Sequence, residues 1–218
     1  METAFWQSRW QEDRIGFHAD QINPFLMEYW STLQLQGNEH VFVPLCGKTL
    51  DMHWLAQQGH LVTGNEIIEK AVSAFFDESG LRATRTKEER FERFRGGEVD
   101  LLLGDFFALV PEDLEGVTAW YDRAAQVALP PEMRIRYYEH LASLLPMGAK
   151  GLSLAFEYPQ EQKDGPPFSV EEDEIRALCG EHFACTLLHR SDRLEAEPRL
   201  KEQGLTRASE AIYLMERI

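Results

Sequence analysis

The chain is poor in positive charge. It carries 22 Lys and Arg against 37 Asp and Glu, a formal net charge of −15. A face that follows a phosphate backbone needs clustered Lys and Arg. The most basic stretch, residues 82–95, interleaves Glu88, Glu89 and Glu92 and reads as a solvated face. Nucleic acid is therefore not an expected partner. Long apolar runs are also missing, since none approaches the roughly 20 residues needed to span a bilayer. Membrane insertion is not expected either. The opening Met1-Glu-Thr-Ala-Phe-Trp-Gln has no basic start and no apolar stretch, so it does not read as a signal peptide. Cysteine is scarce and odd in number: Cys46, Cys179 and Cys185. That fits reduced thiols in a cytoplasm. With no Cys-x-x-Cys pair and scattered histidines, no metal site is expected. Repeats and low-complexity segments are absent.

What is present is apolar enough to fold. Hydrophobic residues make up 44% and aromatics 11% of 218 residues, which suits one domain with a sizeable core. Residues 3–13 and 24–35 read as two amphipathic helices, the second capped by Asn23 with Pro24 at its first position. Trp6, Trp10, Phe17, Phe25, Tyr29 and Trp30 make this arm aromatic. Its rings face the core or close over a ligand, and both roles can hold for different residues.

Strands and helices then alternate. Residues 41–44 and 61–65 are short apolar runs of the parallel-sheet kind. Helices are expected over 52–58, 69–78 and 131–145. An inserted hairpin is expected over 84–87 and 90–95. Residues 99–104, 117–121, 152–157, 185–189 and 211–215 complete the strands. This order predicts an α/β fold, a doubly wound Rossmann-like sheet with helices on both faces. Ligands in such sheets bind at the carboxyl ends of the strands.

The densest signal is Val41-Phe-Val-Pro-Leu-Cys-Gly-Lys-Thr-Leu-Asp51 followed by Gly59-His-Leu-Val-Thr-Gly-Asn-Glu66. It reads as strand, tight turn, helix, strand and then an acid where a ribose would present its hydroxyls. Gly47-Lys48-Thr49 ends like a P-loop, but Phe42 stands where the leading glycine belongs. A nicotinamide fold wants three glycines in the first turn, and this turn has Gly47 alone. A cofactor without a phosphate, such as S-adenosylmethionine, suits the turn better. Glu66 lies about 20 residues on, the spacing of a ribose-binding acid.

Many further segments resemble the bacterial thiopurine S-methyltransferases, over nearly the whole chain. They are Phe5-Trp-Gln-Ser-Arg-Trp10, Ile15-Gly-Phe-His18, Asn23-Pro-Phe-Leu26, Val43-Pro-Leu-Cys-Gly-Lys48 with Asp51-Met52, and Gly64-Asn-Glu66. Then come Tyr121-Asp-Arg-Ala124 with Ala128-Leu-Pro130, Gly165-Pro-Pro-Phe168 and Ala211-Ile-Tyr-Leu214. The resemblance implies a class I methyltransferase fold: a seven-stranded mixed sheet with its last hairpin reversed, in a single domain over 1–218. Residues 1–36 would form a helical lid over the cofactor site. It implies cofactor contacts at Trp10, Leu45, Glu66, Asp105, Phe106 and Arg123. Phe17, Arg123, Phe168 and Arg199 would hold the acceptor.

Each role has a physical sense. Glu66 would accept from the ribose hydroxyls through charge-assisted bonds. Asp105 would accept from the adenine amino group with Phe106 beside the ring, and Trp10 would lie near the sulfonium. Simpler readings stand beside these: Glu66 as a helix-start carboxylate, Trp10 as core, Asp105 as a turn residue, Arg199 in a surface salt bridge. Cys46 reads as a packed thiol, because no Cys–His–Asn arrangement accompanies it. Lys48 reads as a loop or helix-start cation, and His18 stays open between packing and site. Three residues depart from the family pattern: Asn65, Thr49 and His53.

The implied activity is methyl transfer from S-adenosylmethionine to the sulfur of aromatic or heterocyclic thiols such as thiopurines, with no covalent intermediate. Proximity and orientation would supply most of the acceleration. The partner would be a small-molecule thiol, or selenium or tellurium in a detoxifying, tellurite-resistance role. A protein that binds the cofactor without turnover is the remaining alternative. A cytoplasmic monomer is expected.

Overall fold

The computed structural model describes residues 3–218, so the first two residues of the expected 1–36 arm lie outside the described residues. The chain forms two compact units, one running to Tyr121 and the other from Asp122 to Ile218.

The first unit opens with α1 (Thr3–Gln11) and α2 (Pro24–Tyr29), the latter followed by a 3-10 turn over Trp30–Leu33. Asn23 caps α2 as expected, its side chain accepting from the Phe25 N–H at 2.9 Å. The amphipathic expectation for α1 needs correction, because Trp10 is its one buried residue. Then follow β1 (His40–Val43), α3 (Asp51–Gln57), β2 (Leu61–Glu66), α4 (Glu69–Ser79), β3 (Thr84–Lys87), β4 (Glu92–Gly96), β5 (Val99–Leu103) and β6 (Val117–Asp122).

Within this unit the strand order is β3-β4-β5-β2-β1-β6. β1 is parallel to both β2 and β6, and β2 is parallel to β5. Strands covered on both faces need apolar side chains throughout, and β1, β2 and β6 are almost continuously buried. α3 and α4 pack on β2 and β5. α4 turns Ala71, Val72, Phe75 and Phe76 into the core and ends at Gly80, whose φ of 68° closes the helix. The β3–β4 hairpin is antiparallel, and β3 exposes every residue, Thr-Arg-Thr-Lys. A charged edge of this kind blocks pairing with a further chain.

The second unit holds α5 (Ala125–Ala128), α6 (Pro131–Leu144), β7 (Lys150–Glu157), α7 (Glu172–Cys179), β8 (Phe183–Asp192), α8 (Pro198–Glu202) and β9 (Ser209–Arg217). Its strand order is β7-β9-β8, antiparallel throughout. This is the reversed last hairpin. α6 starts on Pro131 and buries Arg134, Tyr137, Tyr138, Leu141, Ala142 and Leu144, a helical stripe.

The fold class is as expected. The strand count is larger than seven, with six strands in the first unit and three in the second among the described residues. The surplus is the β3–β4 hairpin, inserted between α4 and β5.

Candidate functional site

The turn after β1 is tight because of two left-handed residues, Leu45 (φ 47°) and Gly47 (φ 56°). Gly64 lets β2 pass beneath it. A Cβ there would come within 2.5 Å of Leu101, 2.7 Å of Cys46 Sγ and 2.9 Å of Met52 Sδ. The Cys46 N–H donates to the Asn65 carbonyl at 2.9 Å, which stitches the turn to the end of β2.

Glu66 ends β2 and is 7% exposed. Its Oε2 accepts from the Gly47 N–H at 2.8 Å, and its Oε1 from the N–H groups of Ile67 and Ile68 at 2.7 and 2.8 Å. Burial raises its pKa, while these three amides pull the other way. A buried carboxylate thus occupies the N–H groups at the turn and at the start of α4. A phosphate there would meet an anion where it needs donors. Lys48 is drawn off as well, its Nζ bonded to Glu78 at 2.5 and 2.8 Å. The P-loop reading therefore fails on charge as well as on the missing glycine.

Trp10 is 4% exposed and packs with Ile68 and Ala71. Its Cζ2 lies 3.7 Å from where a Cβ on Gly47 would stand, and its carbonyl accepts from Lys70 Nζ at 2.6 Å. Phe17 is 42% exposed and meets Trp6 and Trp10 edge-on at 5.6 and 6.0 Å. The end of β5 joins the same place, because the Gly104 N–H donates to the Glu66 carbonyl at 2.9 Å. Asp105 follows. It is exposed, and its Oδ1 accepts from the Phe107 N–H at 3.0 Å. Phe106 is buried and stacks on Phe42, centroids 6.5 Å apart. The first unit therefore gathers Trp10, Leu45, Glu66 and the 105–106 turn at the carboxyl ends of three parallel strands.

Three expected residues lie in the second unit. Arg123 directly follows β6, is half-buried and interacts with Glu210. Phe168 is half-buried, packs its ring over Gly165 and donates its N–H to the Val127 carbonyl at 2.7 Å. Arg199 is exposed on α8 and has no ion pair among the described residues, so the surface salt-bridge reading is corrected.

The departures from pattern acquire reasons. Asn65 is buried, and its amide donates to the carbonyls of Leu102 and Gly104 at 3.1 Å each, which satisfies the end of β5. Thr49 Oγ1 accepts from the Asp51 N–H at 3.3 Å, starting α3. His53 stacks on Phe75 with centroids 4.3 Å apart, and burial lowers its pKa. The Cys46 thiol is buried, and burial and Glu66 push it well above its ordinary value, which agrees with a packed thiol rather than a nucleophile. Asp51 had no role in the sequence reading. It is 1% exposed and accepts from Asn23 and Tyr121. An acid in the first turn of a helix is ordinary, so its burial had no local signal.

A parallel β5-β2-β1-β6 order, a reversed last hairpin and an acid ending the second strand define a class I S-adenosylmethionine-dependent methyltransferase. Solved structures share this fold. A Burkholderia thailandensis 1,6-didemethyltoxoflavin-N1-methyltransferase with bound S-adenosylhomocysteine superposes with a TM-score of 0.62 at 17% identity, covering 98% of this chain and 86% of that one. A Methanosarcina mazei SAM-dependent methyltransferase gives 0.61 at 15% identity, covering 91% and 99%.

A family model described as Thiopurine S-methyltransferase matches residues 1–218. The thiopurine S-methyltransferase of Pseudomonas aeruginosa (strain LESB58) is 48% identical over 217 residues, 100% of both chains. That of Xanthomonas campestris pv. campestris (strain 8004) is 45% identical over the same span. The chain belongs to the thiopurine S-methyltransferase family, and its cofactor is S-adenosylmethionine.

The residues present fit that cofactor. A carboxylate offers about four acceptor positions, and three on Glu66 hold backbone N–H groups. One is left for a ribose hydroxyl. Taking both hydroxyls requires Glu66 to release one amide.

Proposed function

We propose that this enzyme methylates the sulfur of aromatic or heterocyclic thiols, thiopurines among them. The observation that carries the reading is the buried Glu66 carboxylate at the end of β2, with Trp10 over the adjoining turn. The names of the full-length relatives support the acceptor class. When bound, S-adenosylmethionine supplies a methyl group already activated by its positive sulfur, taken by the acceptor in an in-line displacement.

The protein's own part is to bind, orient and exclude water. Glu66 fixes the ribose. Leu45 lines the methionine portion. Asp105 accepts from the adenine amino group, and the turn carrying Phe106 sets its position. Trp10 covers the cofactor and offers a ring to its cationic centre. In the second unit, Arg123 serves cofactor and acceptor, while Arg199 draws an anionic acceptor and favours its thiolate, the reactive form. Phe17 and Phe168 provide apolar contact for a flat ring. The whole chain acts as one methyltransferase domain with residues 1–36 as its lid. It works as a monomer in a reducing cytoplasm, a reading supported by three free cysteines.

Transfer of a labelled methyl group to a thiopurine, a thiophenol, selenite, a catechol and no acceptor tests the reading. Wild type is compared with Glu66→Gln and Phe168→Ala. Transfer to the sulfur acceptors, lost in Glu66→Gln while the variant stays folded, is expected. Turnover of selenite alone moves the acceptor class to metalloids. Cofactor binding without transfer makes the protein a binder rather than an enzyme of this specificity. Unchanged thiol affinity in Phe168→Ala removes that residue from the acceptor slot.

A further inference from the structure

Outside the cofactor region, the second unit brings two cysteines and a methionine together. Cys179 is the last residue of α7 and is 2% exposed. Its Sγ lies 3.9 Å from Met215 Sδ. Met215 on β9 is the register partner of Cys185 on β8. Directly opposed residues of an antiparallel pair share a face, with side chains in contact range. Cys185 therefore stands beside Met215 on the face that Cys179 contacts. The connection between them is short: the His182 N–H donates back to the Cys179 carbonyl at 2.9 Å across the turn at Gly180.

The pair is asymmetric. Cys185 is half-buried, whereas Cys179 is enclosed. The Cys179 thiol holds Cys185 below its ordinary pKa; burial opposes this and the Arg176 guanidinium adds to it. Cys179 is raised in turn, first by Cys185 and then by burial. A thiolate is the reactive form towards oxidants. The lowered pKa thus falls on the more accessible sulfur, with the second thiol packed on the same face. The methyl-transfer reading uses neither residue.

We propose that Cys185 and Cys179 are an oxidant-reactive pair: a hydroperoxide oxidises Cys185, and Cys179 closes the product to an intramolecular disulfide. In the first step Cys185 Sγ attacks a peroxide oxygen. An S–O bond forms and the O–O bond breaks. Cys185 becomes a sulfenic acid and the peroxide is reduced to the alcohol or to water. In the second step Cys179 Sγ attacks Cys185 Sγ. The S–S bond forms, the S–O bond breaks, and the hydroxyl leaves as water with the Cys179 proton. Two thiols and one hydroperoxide give one disulfide, one alcohol and one water.

The third cysteine is an internal control. Cys46 is buried, its thiol is pushed well above its ordinary pKa, and its Sγ donates to the Gly47 carbonyl. The test treats the intact protein with hydrogen peroxide and maps the products by mass spectrometry with dimedone present. The peptide spanning residues 177–190 is expected to lose the mass of two hydrogens and regain it on reduction, with Cys46 still a free thiol. Cys179→Ser is expected to accumulate a dimedone adduct at Cys185, and Cys185→Ser to give neither product. Oxidation of Cys46 first, a disulfide between chains, or an unchanged 177–190 peptide overturns the proposal. The wild-type map decides the matter even if a variant folds poorly.

Discussion

The Tyr121 hydroxyl donates to Asp51 Oδ2 at 3.1 Å, joining the end of β6 to the start of α3. The other oxygen of Asp51 accepts from the Asn23 N–H at 2.8 Å, where the arm enters α2. One buried carboxylate thus fixes three segments around the turn that carries Leu45 and Gly47. A hydrogen bond to a charged group contributes about 1.5–3 kcal/mol net, so Tyr121→Phe is expected to lose about 2 kcal/mol of unfolding free energy. Asp51→Ala is expected to lose more, because it also strands the Asn23 N–H. Denaturant titration with an unchanged slope reads both. Equal losses in the two variants would show that the Asn23 bond contributes nothing.

Gly64 is expected to tolerate no side chain. Its Cβ would overlap Leu101, Cys46 and Met52 together, and overpacking of this kind costs about 1–3 kcal/mol. Gly64→Ala is therefore expected to lower stability by that amount. It is also expected to weaken cofactor binding more than Gly16→Ala, a position with nothing within 4 Å. Calorimetric titration of both variants with S-adenosylmethionine checks this. Equal affinity in the two would separate the packing under the turn from the turn's function.

The same particulars show what the sequence reveals. β1 and β2 were legible because strands buried on both faces must be apolar, and Glu66 because its spacing from the turn is short and local. α7 was missed although Glu172, Asp173 and Glu174 crowd its first turn and Gly180 follows its last. Its apolar stripe, Ile175, Leu178 and Cys179, spans little more than one turn of an eight-residue helix, too short for a periodicity reading. The true length of β8 was hidden because its later residues alternate outward as Arg190 and Asp192. Asn65 and Asp51 were illegible in principle. Their partners lie at positions 102, 104, 23 and 121, and no local pattern says which backbone groups a distant strand leaves unpaired.

Asp122 gives a pH signature. It is fully buried, its Oδ2 accepts from the Tyr137 hydroxyl at 2.7 Å and its Oδ1 from the Ala125 N–H at 2.8 Å. Burial nonetheless raises its pKa from 3.8 to about 6. The folded state therefore holds this proton where the unfolded state has released it. Below about pH 4 both states are protonated and the group costs nothing. As pH rises through about 6 the folded state must bear a buried charge, and stability falls, by about 3 kcal/mol in all. Asp122→Asn removes the titration. The stability of wild type relative to this variant is expected to decline between about pH 4 and pH 7. A difference that stays flat would mean Asp122 keeps an ordinary pKa.

Trp10 separates packing from recognition. Its ring fills the space beside Ile68, Ala71 and the Gly47 turn. Trp10→Ala is expected to lose about 3–5 kcal/mol, the usual cost of deleting a large buried aromatic, and so cannot report on binding alone. Trp10→Phe keeps an aromatic ring and most of the volume. Its cost in stability is expected to stay below about 1.5 kcal/mol. A smaller ring offers a cation a weaker face, and the part of a cation–π contact that is lost amounts to about 1 kcal/mol. Affinity for S-adenosylmethionine is therefore expected to fall about fivefold. The affinity for S-adenosylhomocysteine, which is neutral at sulfur, is expected to change little. The comparison of the two ligands is the readout: an equal loss for both would make Trp10 a wall of the site rather than a partner of the positive sulfur.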